Sequence, residues 1–238
     1  MRVVAIVQAR MGSDRLPGKI IRKLPFNEKG EYLINIILSQ LNNVDIIDEV
    51  VLATSVNKEN DILNNILTPD TEIFRGDENN VLERFYEASK QYNADIILRF
   101  TGDNPIIATE YIYEIIDQIK SNNIDYIKTV GLPLGTNIEA FTHKSLEKAY
   151  REANLDKDKE HVTPYIIRND FFNKKSIKYS FSELINKLRL TIDYPSDFAI
   201  MNILFCNFED IPTIENVIEF VSDNSWIVDI NYNNKQLS

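Results

Sequence analysis

The chain has 238 residues, 44% hydrophobic and 26% charged, which suits one large domain with a buried core and a wettable surface. A formal charge of −10 argues against broad nucleic-acid binding, which needs a basic face, and no apolar run approaches the roughly 18–20 residues of a membrane span. The N-terminus does not read as a signal peptide; Cys206 alone cannot close an intramolecular disulfide, nor build a structural zinc site with two histidines, so a cytoplasmic protein is expected.

In chain order, residues 3–8 read as a buried strand and residues 31–41 as a helix, with Leu33, Ile36, Ile37 and Leu41 at helical spacing. A strand at 49–54, a helix at 59–67 and a short strand at 71–74 follow. Next come a helix at 81–92, a strand at 95–100 and a helix at 111–120. The second half is less regular: strands at 125–129 and 138–141, a helix at 145–153, and a charged loop at 154–161. Strands at 177–181 and 188–192 and helices at 196–206 and 214–222 complete the pattern. This alternation predicts a single α/β domain over residues 1–229, a mostly parallel twisted sheet with helices on both faces, and a polar tail at 230–238.

Ligands of open α/β sheets sit at the carboxyl ends of the strands. Four of these ends carry polar loops: "QARMGSDR" after the first strand, "TS" after the second, "RGDENN" after the third and "TGDNP" after the fourth. The first is the most unusual. In an acidic protein, Arg10, Arg15 and Lys19 fall within ten residues, beside Gly12 and Gly18. The loop is not a P-loop, because its glycine spacing is one residue too long and Ile20 replaces the hydroxyl that would reach magnesium. The dinucleotide fingerprint G-x-G-x-x-G is also absent. A loop whose N–H groups and cations wrap a polyphosphate fits the pattern, and so does a solvated surface turn.

Asp103 in "RFTGDNP" stands just past a buried strand, where a carboxylate can hold a hard cation or cap its own Asx-turn. "RLTIDYPSD" repeats the arrangement with Asp193. Two strand-end aspartates without a thiol or imidazole cluster suit Mg²⁺ better than zinc. Asp197 reads as helix N-terminal charge. Arg75 could reach ligand phosphates or pair with Asp77 or Glu78. Glu139 and His161 are presented from "LGTNIEAF" and "KEHVTPY" as substrate contacts or ordinary loop ends.

Taken together, "IVQARMGSDRLPGK", "FRGDENNVLERF", "RFTGDNP", "GTNIEAF", "EHVTPYI" and "RLTIDYPSD" resemble, in order over roughly residues 3 to 205, the cytidylyltransferase superfamily that makes CMP-activated sugars. The likeness is greatest to the spore-coat polysaccharide biosynthesis SpsF branch, which is similar to the CMP-Kdo and CMP-sialate synthetases. The resemblance implies a nucleotide-diphospho-sugar transferase-like (Rossmann-like) fold. It also implies transfer of CMP from CTP to an acidic sugar or sugar phosphate, with release of pyrophosphate, in surface polysaccharide biosynthesis. Under it, Arg10, Lys19, Asp103 and Asp193 are catalytic, and Asp103 and Asp193 bind Mg²⁺. Gln8, Ala9, Arg10, Met11, Gly12, Ser13, Arg15, Lys19, Thr54, Arg75 and Asp103 bind the nucleotide, and Glu139 and His161 bind the acceptor. The expected partners are CTP, the acceptor and a second copy in a homodimer, with no nucleic acid and no membrane. Asn104 and Asn137 stand where this branch more often has Cys and Asp, which bears on the acceptor. A glycosyltransferase or a non-catalytic nucleotide-binding partner are the alternatives. The first would typically carry an Asp-x-Asp pair, and "TGDNP" supplies one aspartate.

Overall fold

The computed structural model describes residues 1–13 and 15–235. Its centre is β1 (Val3–Gln8), a continuous apolar run buried on both faces, as a central parallel strand must be. A two-stranded ribbon, β2 (Lys23–Leu24) with β3 (Glu31–Tyr32), leads into α1 (Leu33–Asn42). The first half continues with β4 (Glu49–Ser55), α2 (Leu63–Ile66), β5 (Glu72–Gly76), α3 (Val81–Gln91), β6 (Ile96–Thr101) and α4 (Ile112–Asn122). The second half holds β7 (Tyr126–Val130), β8 (Glu139–Thr142), α5 (His143–Glu152), α6 (Asp156–His161), α7 (Pro164–Arg168) and β9 (Lys174–Lys178). It ends in α8 (Glu183–Asn186), α9 (Pro195–Asn207), α10 (Ile214–Asp223) and α11 (Trp226–Asp229).

The seven-stranded sheet has the order β5-β4-β1-β6-β8-β7-β9 and is parallel except for β8, which runs against both neighbours. The two-residue alternation of side chains divides the core between the faces. Val3, Ala5 and Val7 of β1 pack under α1, α4, α9 and α10, whereas Val4 and Ile6 pack under α3 and α5. This is the expected α/β fold with helices on both faces.

The chain leaves β1 for β4 on one side and returns to β6 on the other. The carboxyl ends of β1 and β6 are therefore a topological switch point, where such sheets leave a crevice. Residues 9–13, 15–19 and 102–104 hang directly over it.

The second half departs most from the sequence pattern. Residues 188–192 form no sheet strand; they run extended, with one bridge between Leu134 and Arg189, and Ile192 N–H donates to Asp103 O at 2.8 Å. The last strand lies at Lys174–Lys178 rather than 177–181, and its lysines suit a sheet edge. The charged stretch 154–161 contains helix α6, with Asp156 and Asp158 in its first turn and Lys159 and His161 in its last, a charge order that complements the helix dipole. The expected 59–67 helix divides into a 3-10 turn, Lys58–Ile62, and the short α2. In the segment read as a polar tail, Asn231 is buried and donates to Asp197 Oδ1 at 2.9 Å; residues 236–238 lie outside the described residues.

Candidate active site

Two cavities open over the switch point. One, about 930 Å³, lies between the loop after β1, the 77–80 turn before α3, and α6. The other, about 600 Å³, extends over β7 and β8. Gln8, Arg15, Thr101, Asp103, His161 and Asp193 line both and form the wall they share.

Lys19, which lines the larger cavity, ties the two carboxylates of that wall together. Its Nζ donates to Asp103 Oδ2 at 2.8 Å, to Ile192 O at 2.7 Å and to Asp193 Oδ1 at 3.2 Å. Arg15 Nη2 donates to the same Asp193 oxygen at 2.8 Å, and Arg189 Nη2 to the other at 2.8 Å. Lys19 reaches this point from a single 3-10 turn, Lys19–Ile21, entered through Gly18 at φ 64°, where a side chain would be strained. Burial alone would push the Asp103 carboxyl up. The Lys19 ammonium and hydrogen bonds from Lys19 and Thr101 outweigh it and hold Asp103 below its ordinary value.

The supports of Asp103 and Asp193 are built locally. Thr101 Oγ1 donates to Asp103 Oδ1 at 2.6 Å and accepts from Asn104 Nδ2 at 2.8 Å, so Asn104 braces the loop that carries Asp103. Gly102 sits so close to β1 that a Cβ would lie 2.6 Å from that of Ala9. Asp197, fully buried, accepts the backbone N–H groups of Asp193 and Tyr194 at 2.9 and 2.8 Å through Oδ2, and Arg189 Nε at 3.0 Å through Oδ1. Asp197 thus caps α9 and holds Arg189 against Asp193.

The donor chemistry fits a hard divalent cation. Two carboxylate oxygens, from Asp103 and Asp193, converge on one cationic atom, Lys19 Nζ. Among the described residues no three His, Cys, Asp or Glu side chains gather as a cage. Magnesium commonly uses one or two carboxylates and takes its other ligands from water and substrate phosphates.

At the far side of the larger cavity, Arg10 pairs with Glu78, and Asn57 Nδ2 donates to the second Glu78 oxygen at 3.2 Å. Arg10 therefore lies on the 77–80 wall, away from the Lys19 cluster. Burial would push the Glu78 carboxyl up, yet hydrogen bonds from Ser55 and Arg10, with the charges of Arg10 and Arg84, keep it below its ordinary value. Arg84 of α3 is 3% exposed and donates to Asp77 O at 2.7 Å. Burial lowers its guanidinium to about 10, partly offset by Glu78. Arg84 Nε and Arg15 Nη1 are buried with no hydrogen-bond partner among the described residues. Buried donors without partners are costly, and both residues also line the larger cavity with other atoms.

Three expected nucleotide contacts lie elsewhere. Met11, Thr54 and Arg75 line neither cavity. Met11 N–H donates to Asn60 Oδ1 at 2.9 Å, and Thr54 is 1% exposed in β4. Arg75 pairs with Asp61 at 2.6 Å and donates to Ser55 O and Asn57 O, bracing the turn after β4 rather than meeting Asp77 or Glu78. Ala9, Gly12 and Ser13 do line the larger cavity, and Gln8 lines both. On the other side, Glu139 lines the smaller cavity but its oxygens are occupied by Arg99, Tyr126 and Thr163. Burial alone would raise its carboxyl; the Arg99 charge and those hydrogen bonds lower it. His161 ends α6 at the shared wall, and the next residue, Val162, is held at φ 69° with Thr163 N–H donating to His161 O at 2.8 Å. A β-branched residue in that conformation is strained by about 1–3 kcal/mol.

A sequence model of the cytidylyltransferase family matches residues 4–225, nearly the whole described chain. The chain belongs to the cytidylyltransferase family. It is accordingly a CTP-dependent nucleotidyltransferase. An uncharacterized protein of Methanocaldococcus jannaschii is 37% identical over 244 residues, spanning 100% of this chain and 98% of its own. The spore coat polysaccharide biosynthesis protein SpsF of Bacillus subtilis is 32% identical over 85% of this chain and 86% of its own. A solved cytidylyltransferase from Leptospira borgpetersenii superposes with a TM-score of 0.87 at 28% identity, covering 100% of this chain and 99% of that one.

Sequence reasoning missed several residues of this cytidylyltransferase's crevice. Glu78 entered only as a possible partner of Arg75 and not of Arg10, and Arg84 in a helix full of charges gives no sign of being buried. Arg189 had a partial signal, four residues before Asp193 in the same motif. Arg99 and Lys128 carried none, because their meeting depends on which strands are neighbours.

Proposed function

We propose that this cytidylyltransferase moves CMP from CTP to a sugar acceptor, releases pyrophosphate, and supplies an activated sugar for surface glycan assembly. The observation that carries the reading is the shared wall: Asp103 and Asp193, joined by Lys19 from the larger side, stand between one cavity rich in phosphate-type donors and a second that is open for an acceptor. The relationship to SpsF supports the polysaccharide assignment.

CTP fills the larger cavity, where the lining residues Arg15 and Arg84 and the Ala9–Ser13 backbone groups meet the triphosphate. The acceptor oxygen, entering from the smaller cavity, attacks the α-phosphorus. One O–P bond forms while the bond from that phosphorus to the bridging oxygen breaks, and its electron pair leaves with pyrophosphate. Where the acceptor is a hydroxyl its proton is released; a phosphate acceptor needs no such step. Lys19 and Arg15 oppose the charge that develops on the leaving group, as electrostatic groups do at transferred phosphates. Asp103 and Asp193 would hold the divalent cation, Mg²⁺ in this reading, which supplies further neutralisation of phosphate charge.

Incubation with CTP, Mg²⁺ and pooled sugars, followed by mass spectrometry, tests the reading. A CMP-linked sugar formed in step with pyrophosphate supports it. Turnover of a nucleotide sugar with transfer of the sugar itself would favour a glycosyltransferase instead.

A further inference from the structure

We infer that Arg99 is a positioning residue for the transfer: it turns the Gln8 amide so that its Nε2 donors face the phosphoryl group passing between the two cavities. The inference rests on the CTP-transfer reading and adds to it a donor on the shared wall and the side chains that aim it.

An arginine side chain carries N–H donors and no acceptor, whereas a glutamine amide carries both kinds of group. Arg99 Nε donates to Gln8 Oε1 at 3.2 Å. Only the amide oxygen can face that N–H, so Arg99 decides which way round the Gln8 amide sits. Nε2 is left facing away from it. Nothing among the described residues accepts from Gln8 Nε2, and it is not one of the buried side-chain atoms that lack a partner. It therefore reaches the crevice, where Gln8 lines both cavities.

Arg99 can set that direction because it is itself held. Arg99 of β6 lies opposite Glu139 of β8, and its Nη1 donates to Glu139 Oε2 at 2.6 Å. Tyr126 Oη and Thr163 Oγ1 donate to Glu139 Oε1 at 2.5 and 3.2 Å. Tyr126 and Thr163 are buried, and Thr163 comes from the strained turn at Val162. Glu139, expected at the acceptor, is thus the anchor of Arg99. The contacts run from β7 and the turn after α6, through β8 and β6, to the last residue of β1.

Register places the free donor. Gln8 pairs with Thr101 of the neighbouring parallel strand, so the two side chains stand on one face, their strands about 4.7–4.9 Å apart. Thr101 Oγ1 donates to Asp103 Oδ1 at 2.6 Å. The Gln8 side chain hence stands beside the arm that carries Asp103, on the wall where CTP in one cavity meets an acceptor in the other. A neutral donor suits that place. It can hold a phosphoryl oxygen without pairing with Asp103 or Asp193, as Lys19 and Arg15 do.

Calorimetric CTP binding, and pyrophosphate release with CTP, Mg²⁺ and pooled sugars, are measured for the wild type, Gln8→Met, Arg99→Lys and the double variant. Gln8→Met should lower kcat about 10²-fold with CTP affinity unchanged, because a misaimed reacting group costs rate rather than binding. Arg99→Lys keeps the positive charge against Glu139 but loses the second donor of the guanidinium fork, and should lower kcat about tenfold. Added to Gln8→Met it should cost nothing further, since Arg99 acts through Gln8. Gln8→Glu, which keeps an acceptor for Arg99 and lacks the donor, should lose at least as much as Gln8→Met. An unchanged kcat in Gln8→Met or Gln8→Glu, or an equal loss from Arg99→Lys in both backgrounds, would overturn the inference. Absence of CTP binding by the wild type would instead overturn the CTP-transfer reading, before any variant is compared.

Discussion

Lys19 shows how one side chain can organise the crevice. Its ammonium separates two carboxylates that would otherwise repel across the shared wall. In the proposed reaction the same charge would oppose that of the leaving pyrophosphate. Lys19→Ala should therefore lower kcat/KM for CTP by about 10²–10³, the usual effect of losing one electrostatic donor at a transition state. Steady-state kinetics with CTP varied at a fixed acceptor concentration measures it; an unchanged value would remove Lys19 from the triphosphate. The site residues legible in the sequence were those of this kind. Arg15, Lys19 and Asp103 follow the ends of β1 and β6 within short, unusual loops, so strand position brings them together, whereas Asp193 arrives on a segment outside the sheet that bonds to the Asp103 backbone. Arg75 is the penultimate residue of β5, yet its side chain turns to Asp61, because strand position does not fix the direction of a long side chain.

At the scale of elements, the start of α9 sets the aim of Asp193. Asp197 binds two backbone N–H groups, Arg189 and the Asn231 side chain while wholly buried. Asp197→Ala would leave Arg189, 3% exposed, facing Asp193 without its second carboxylate. Breaking a buried pair costs about 3–5 kcal/mol. For a domain of this size that is a fall in Tm of roughly 6–20 °C, readable by calorimetry. A smaller fall would mean that Asp193 and the chain around it satisfy Arg189 without Asp197. The buried strands and amphipathic helices of the first half were plain in the sequence, because a run such as "VVAIV" has one stable place, the centre of a parallel sheet. The second half was not. The inserted antiparallel β8 places Arg99, Glu139 and Lys128 in one row, and no local pattern reports strand order. Residues 188–192 have the composition of a strand but bond to Leu134 and Asp103, contacts that only the folded chain defines.

For the whole molecule, one pair of acids makes stability depend on pH. Glu110 is exposed on one side, yet desolvation on its packed side, with Glu215 next to it, pushes its carboxyl up to about 7 from an ordinary 4.5. Between those values the folded state holds a proton that the unfolded chain has released, so stability declines as pH rises from about 4.5 to about 7. Glu110→Gln should be more stable than the wild type at pH 8 and should show a flatter Tm profile through that window. Thermal melts at pH 5.5 and 8 decide it, and parallel profiles for the two proteins would place the pH dependence elsewhere. This pair lies at the junction of the turn before α4 with α10, among residues lining neither cavity, so its titration is separable from catalysis.

The central claim is that two cavities meeting at Lys19, Asp103 and Asp193 join CMP to a sugar. It is tested most directly by pyrophosphate release with Mg²⁺, the pooled acceptors and each of the four nucleoside triphosphates in turn. Release with CTP, dependent on one acceptor pool and lost in Asp193→Asn, is the predicted result. Equal release from all four triphosphates, or full activity in Asp193→Asn, would contradict it.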